Sequence, residues 1–233
     1  MSEDDFDKST LATFLHLTPA QIEKMANRGK LPGRRVGGEW RFSRIEIHHW
    51  FEDRIGLSDQ IELEQVEKVL ESDGERDQAS LADLMQPAAI WIPLAARTRN
   101  SVIHQICQQS ADVGLVWDVA KMEQAIKARE NLHPTALENG VAMLHPRRPQ
   151  VSNIAEAFVS LGITTNGLPF GGPRGVMTDM FFLIASDDER GHLKTLARLS
   201  RIIAVPGFVE ELRGCGDAAS AHQLIHTVEL DIS

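Results

Sequence analysis

Residues 129–149 read RENLHPTALENGVAMLHPRRP, and this stretch is the most informative part of the chain. It opens on an Arg-Glu pair that ends a segment with helical periodicity, running on from Met122 and Ile126. A Thr and a Gly follow, and a short apolar strand, Val141 to Leu144, leads directly into His145. A histidine at the end of a strand can present its ring in a shallow surface depression, where a reacting partner can align.

The stretch resembles the active-site segment of the fructose/mannitol/nitrogen-type enzyme IIA domains of the bacterial phosphotransferase system. The residues that match the family pattern are Arg129, Glu130, Thr135, Gly140 and His145. Further along, His192 opens the sequence His-Leu-Lys-Thr-Leu-Ala, which resembles the family's H-L-x-x-L-A element. The resemblance implies that His145 carries a phosphoryl group, that His192 donates to this group, and that Arg129 orients the site or meets the donor protein.

Phosphoryl transfer also needs donors around the phosphoryl oxygens, because negative charge resides there in the transition state. Four residues are candidates for this supporting role: Thr135, Gly140, Arg147 and Arg148. The chain departs from the family at Leu144, where a Pro is usual, at Pro146, which lacks an N–H, and at Glu138, which adds a negative charge. These departures leave two alternatives open: a regulatory subclass with altered partner choice, or a site that no longer transfers phosphate.

The N-terminal segment has a different pattern. Thr18-Pro-Ala-Gln21 is typical of a helix start, with a hydroxyl N-cap, Pro at the first position and Gln at the third. Two alternating segments, Arg34–Val36 and Trp40–Phe42, flank Gly37-Gly38 and predict a tight β-hairpin. A further capping box at Ser43 predicts a closing helix. Helix, turn, helix, hairpin and helix in this order predict a winged helix-turn-helix domain.

This segment is similar to the excisionase/MerR-like DNA-binding family, through Gly29-Lys-Leu-Pro32, Arg35-Val-Gly-Gly38, Trp40-Arg41 and Trp50. The resemblance implies that the helix from Pro19 to Arg28 enters the major groove. The predicted DNA-contacting residues are Gln21, Lys24 and Arg28 on this helix and Arg34, Arg35 and Arg41 on the hairpin. The alternative is a small winged fold that serves protein interaction or dimerisation.

Charge and composition limit the possible functions. The 233-residue chain has a net charge of -9, which disfavours bulk nucleic-acid binding, but Lys8–Arg54 has nine basic and five acidic residues, a net +4. No run of about 18 apolar residues predicts a membrane span, and the acidic N-terminus is unlike a targeting segment. The two widely spaced cysteines predict reduced thiols in a cytoplasmic protein. No histidine spacing predicts a metal site, and no cofactor is expected.

Apolar periodicity and cap residues also outline local elements. In the C-terminal half, strands are predicted over Ala88–Leu94, Val141–Leu144, Ala157–Ile163 and Met180–Ala185, Thr98 and Asp118 are predicted helix caps, and His192–Ile203 is predicted to be helical. Earlier in the chain, Ser9 and Thr10 are predicted to cap a first helix, and Ile61–Leu70 is predicted to be helical.

The sequence therefore predicts three parts: a winged helix-turn-helix at residues 1–56, an acidic helical linker at 57–79, and an α/β domain at 80–233 with a mixed sheet flanked by helices. The predicted function is a regulator phosphorylated by an HPr-type phosphocarrier and coupled to DNA binding. The expected partners are that carrier and DNA, with a possible homodimer and no membrane insertion. Two alternatives stay open: an interaction module that never carries phosphate, and a component that passes phosphate to a sugar transporter.

Overall fold

The computed structural model describes residues 5–15, 17–44, 46–47, 50 and 80–232. The chain divides into two compact units, Met1–Glu75 and Arg76–Ser233. The predicted linker at 57–79, with the helix expected over Ile61–Leu70, lies outside the described residues.

The N-terminal unit contains the predicted helix-turn-helix and hairpin. Its elements are β1 (Asp5–Phe6), α1 (Lys8–Phe14), α2 (Pro19–Asn27), β2 (Arg34–Val36) and β3 (Glu39–Ser43). Thr18 caps α2 in a capping box with Gln21, as its sequence predicts. Of the predicted closing helix, the described residues Arg44, Glu46, Ile47 and Trp50 are helical.

The hairpin turns at Gly37 and Gly38, whose φ angles of 60° and 87° are left-handed. Two consecutive residues in this region make the turn whose twist matches paired strands, which is why a Gly-Gly pair stands there. One strand, β1, was not predicted from the sequence; it pairs antiparallel with β3 and gives the strand order β1-β3-β2. Ser9 and Thr10 were predicted to cap α1. Instead, the Asp7 carboxylate accepts bonds of 2.8 Å from the N–H groups of Ser9 and Thr10.

The C-terminal unit alternates helices and strands. Its elements are α3 (Leu81–Leu84), β4 (Ile90–Trp91), α4 (Arg99–Asp112), α5 (Val119–Leu132), β5 (Val141–Leu144), β6 (Phe158–Pro169), β7 (Met177–Ala185), α6 (Glu189–Ile203), α7 (Phe208–Arg213) and α8 (Ala218–Ile232). Thr98 and Asp118 cap α4 and α5, as predicted. The fold is the expected α/β arrangement of a mixed sheet with flanking helices.

The four strands lie in the order β4-β6-β7-β5. β4 is parallel to β6, β6 is antiparallel to β7, and β5 is parallel to β7. Both faces of the inner strands are covered, since consecutive residues Phe181 and Phe182 of β7 are fully buried. Leu144 and Phe181 pack in one core with residues of α4 and α5. On the other face, Met143 of β5 contacts Ser200 of α6 through their Sδ and Oγ atoms, 3.6 Å apart.

Two strands differ in length from the sequence prediction. A strand over Ala88–Leu94 was expected, but β4 has only two residues, because Pro87 starts a 3-10 turn and Pro93 has no N–H to donate. β6 continues to Pro169 past the expected end at Ile163, with a shift of register between Ile163 and Leu168. Polar residues at the shift hide this continuation in the sequence. Within the described residues, no helix is both long enough and apolar enough to cross a membrane.

Candidate functional site

The parallel pair β5 and β7 brings the two predicted histidines together. Leu144 is paired with Leu183, so the C-terminal ends of the two parallel strands lie on the same side of the sheet. His145 follows β5 at once, and β7 leads through Asp188, the N-cap of α6, to His192 in the first turns of that helix. The imidazole centroids of His145 and His192 lie 5.2 Å apart at an angle of 55°, and both residues are only 3% exposed.

Two hydrogen bonds define the protonation of the His145 ring. Nδ1 lies 2.8 Å from the carbonyl oxygen of Met143, and Nε2 lies 3.2 Å from Nε of Arg129. A carbonyl oxygen only accepts and a guanidinium nitrogen only donates. His145 is therefore the neutral tautomer with its proton on Nδ1 and its lone pair on Nε2.

The Arg129–Glu130 pair holds the loop that follows α5. Arg129 Nη1 donates to the carbonyl oxygen of His133 at 2.8 Å, while Nε reaches His145. The Glu130 carboxylate, 1% exposed, accepts a short bond from the Thr135 hydroxyl and a bond of 3.3 Å from the Thr135 N–H. These contacts hold the loop of residues 133–135 against the end of α5, where Arg129 donates to the His145 lone pair.

The residues after His145 form the outer rim of the site. Pro146 is buried, whereas Arg147 and Arg148 are exposed. The turn is tied to the end of β7 by a bond of 3.0 Å from the Gln150 N–H to the Ser186 carbonyl oxygen. These arginines, predicted to support a phosphoryl group, follow His145 by two and three positions and are accessible.

Gly140 and Glu138 lie at the opposite end of β5 from His145. Gly140 has a φ of 82°, and its carbonyl oxygen accepts from the N–H groups of Asp179 and Met180 at 3.0 and 3.2 Å. Its contacts start the strand that delivers His145. The Glu138 carboxylate is paired with Arg174 at 3.5 Å. Its charge therefore lies before the N-terminal end of β5, whereas His145 follows the C-terminal end of that strand.

The predicted DNA-contacting residues all lie on the surface of the N-terminal unit. Lys24 and Arg28 are exposed, while the Gln21 side-chain oxygen accepts a bond of 2.8 Å from the Thr18 N–H as part of the helix cap. The Arg35 guanidinium lies 5.1 Å from the centre of the Trp40 ring. Arg34 and Arg41 lie near carboxylates on the outer face of the hairpin.

The C-terminal unit matches a known family over almost its whole length. The model of the phosphoenolpyruvate-dependent sugar phosphotransferase system EIIA 2 family matches residues 83–228. The chain belongs to this enzyme IIA family. A model described as a helix-turn-helix domain matches residues 8–55. The chain is thus an enzyme IIA-like protein with an N-terminal helix-turn-helix domain.

Curated relatives and solved structures resemble the enzyme IIA domain. A nitrogen regulatory protein of Bradyrhizobium diazoefficiens is 26% identical over 62% of this chain and 94% of its own length. The fructose-specific EIIABC component of Bacillus subtilis is 25% identical over 53% of this chain, which spans only 19% of that relative. The crystal structure of IIA-Ntr from Neisseria meningitidis has a TM-score of 0.56 at 18% identity, covering 62% of this chain and 98% of its own. IIA mannitol of Escherichia coli has a TM-score of 0.53 at 20% identity, over 60% and 97%. These structures share the fold.

Sequence reasoning missed three contributors to the enzyme IIA site. The Met143 carbonyl fixes the His145 tautomer, but a backbone group has no signature in the sequence. Arg99, at the start of α4, lies 3.4 Å from the Glu130 carboxylate, and a contact across 31 residues has no periodic signal. Asp188 could have been found, since an Asp before a helical stripe is a common N-cap. In the described part of the chain, no group of three or more potential ligands is arranged to hold a metal ion.

Proposed function

We propose that this protein is a bacterial cytoplasmic regulator in which an HPr-type phosphocarrier phosphorylates His145 and the phosphorylation state modulates DNA binding by the helix-turn-helix domain. One observation carries the proposal. The Nε2 lone pair of His145 points to the Arg129 guanidinium while Nδ1 is held by a backbone carbonyl, and a second histidine lies alongside. A neutral imidazole held at one nitrogen is suited to nucleophilic attack through the other.

The transfer step follows from this geometry. The Nε2 lone pair attacks the phosphorus of the carrier's phosphohistidine, an Nε2–P bond forms, and the carrier's N–P bond breaks. The electron pair of the broken bond returns to the carrier's imidazole, and Nδ1 of His145 keeps its proton on the Met143 carbonyl. No proton needs to leave His145, so the step is reversible and requires no additional base.

Arg129 has a part before and after transfer. Its Nε donates to Nε2 in the resting site, and this bond must break before the lone pair can attack. The guanidinium then lies within reach of the phosphoryl oxygens, where charged donors are worth most. His192 is next to the same ring, on a helix whose N-terminal end favours negative charge. Arg147 and Arg148 add positive charge at the rim.

The DNA-binding part of the proposal rests on the N-terminal unit. Its helix-turn-helix matches a family model over residues 8–55. Lys24 of α2 and Arg28, the residue that caps the C-terminal end of this helix, are exposed. Phosphate contacts from such residues give salt-dependent affinity. A phosphoryl group adds about -1.5 to -2 charges, so phosphorylation should weaken the attraction of the whole chain to DNA.

A phosphotransfer assay tests the proposal. The full chain is incubated with phosphoenolpyruvate, enzyme I and an HPr-type carrier, and its intact mass is measured for the wild type, His145→Ala and His192→Ala. The expected result is one acid-labile phosphate on the wild type, none on His145→Ala, and slower or less stable labelling of His192→Ala. Equal labelling of His145→Ala and wild type would contradict the assignment. The phosphorylated and unphosphorylated proteins are then compared for duplex affinity.

Pro146, the residue after His145, favours a second function, that of an interaction module. Pro146 offers no N–H to a phosphoryl oxygen, and His145 is 3% exposed. These features suit an enzyme IIA-shaped interaction module that binds its partner without accepting phosphate. In the same assay, such a module would form a complex with a carrier protein but gain no mass.

A further inference from the structure

The outer face of the hairpin places basic and acidic residues together. In the strand register, Asp5 of β1 lies opposite Ser43 of β3, and Arg41 of β3 lies opposite Arg34 of β2. Opposite residues share a face of a sheet, and so do residues two apart in one strand. Asp5, Arg41 and Arg34 therefore lie on one face, across all three strands.

Carboxylates of the first segment contact both arginines of this face. Asp5 Oδ2 lies 2.7 Å from Arg34 Nη2, and Asp7 Oδ2 lies 4.0 Å from Arg41 Nη1. The Asp5 side chain is 17% exposed, whereas that of Arg34 is 62% exposed. The carboxylate is thus the enclosed member of the pair, and the guanidinium is the member that solvent, or a phosphate, can reach.

The fold fixes these carboxylates in place. Phe6, between the two aspartates, is 6% exposed and stacks on Phe14 with centroids 5.0 Å apart. Asp7 is the N-cap of α1, and its hydrogen bonds from Thr10 hold the pKa of this carboxyl below its ordinary value, so that it stays charged. The two carboxylates are therefore constant neighbours of the hairpin arginines.

We infer that residues 5–7 form an acidic arm that occupies the hairpin arginines in the place of DNA phosphate and thereby limits duplex affinity. The inference rests on the proposed DNA binding. A phosphate that binds Arg34 must displace the Asp5 carboxylate, so one charge-assisted contact is exchanged for another. Exposed ion pairs are weak, so the arm reduces binding without abolishing it. The two aspartates of the arm lower the net charge from +4 over Lys8–Arg54 to +2 over Asp5–Arg54, which weakens the long-range attraction to DNA.

The test is duplex binding by the full-length protein with Asp5→Asn, which keeps the shape of the side chain and removes its charge. Anisotropy of a short mixed-sequence DNA duplex is followed across a salt series. At low salt we expect about two- to fivefold tighter binding than wild type, the equivalent of one exposed ion pair. The slope of log affinity against log salt should steepen by up to about 0.9, one more phosphate neutralised. Asp7 is left unchanged because it caps α1.

Two further variants separate the contact from a general change in charge. Glu46→Gln removes one exposed negative charge from the same unit and should raise affinity less than Asp5→Asn. In an Arg34→Gln background, Asp5→Asn should have no more effect than Glu46→Gln. Equal or weaker binding by Asp5→Asn, or the same gain with Arg34 removed, would overturn the inference and leave DNA binding standing. If neither wild type nor Asp5→Asn binds duplex at low salt, both the inference and the DNA-binding part of the proposed function fail.

Discussion

At the scale of single residues, the site owes its character to groups that have only one hydrogen-bonding role. The Met143 carbonyl can only accept and Arg129 can only donate, so these two bonds set the His145 tautomer. The same reasoning explains Glu130, whose buried carboxylate only accepts and is met by a hydroxyl, an N–H and a guanidinium. The fold therefore sets which nitrogen holds the lone pair, the nitrogen that we propose as the nucleophile, before any partner arrives.

The two cysteines should differ sharply in reactivity. Burial, with a contribution from the nearby Glu123 carboxylate, raises the pKa of the Cys107 thiol to about 12. Burial also raises the pKa of the Cys215 thiol, but this side chain is only half-buried and solvent can reach it. Because the thiolate is the reactive form, we expect a thiol reagent to modify Cys215 in the folded protein and Cys107 only after denaturation. Peptide mapping of the labelled protein checks this. Labelling of Cys107 at the rate of Cys215 without denaturant would show that the core of α4 opens readily.

At the scale of elements, β5 is the part that turns a sequence pattern into a site. All four of its residues are buried, its start is fixed at Gly140, and its end presents His145. A Cβ added to Gly140 would lie 3.2 Å from atoms of Met177, Asp179 and Arg213. The left-handed φ of 82° adds backbone strain for any other residue.

Gly140→Ala should therefore lower the free energy of unfolding by about 1–3 kcal/mol, the range for a non-glycine residue forced into such a conformation with close contacts. Denaturant unfolding measures the change. Gly216→Ala is the matched control, since an added Cβ there meets nothing within 4 Å. If the two variants lose equal stability, the close contacts and the left-handed backbone at Gly140 do not contribute to the stability of β5.

Element boundaries also show what the sequence could predict. Apolar periodicity predicted β5 at its observed limits, and the Thr98 and Asp118 caps predicted the starts of α4 and α5. The predicted start of α6 at His192 was three residues late, because its Asp188 cap was not recognised. β1 was missed because a two-residue strand gains its stability from pairing with β3, which lies far along the chain. The end of β6 was missed because polar residues at its shifted register are typical of a loop. Local patterns predict local structure, and pairing across the chain needs the fold.

At the scale of the whole molecule, the α/β fold and the meeting of His145, His192 and Arg129 could be predicted from one stretch and one distant element. The supporting contacts could not, since Arg99 reaches Glu130 across 31 residues and the tautomer depends on a backbone carbonyl. Charge shows the same limit. The sequence gives a basic N-terminal segment, while only the fold shows that Asp5 and Arg34 are neighbours.

The most direct test of the account is the chemical form of the phosphorylated site. The full-length protein, labelled with nitrogen-15 and phosphorylated through an HPr-type carrier, is examined by phosphorus and long-range nitrogen–proton NMR. The account predicts a single phosphohistidine at position 145, bonded through Nε2, with the Nδ1 proton still present on the Met143 carbonyl. Phosphate on Nδ1, on another residue, or on none with an active donor would contradict it.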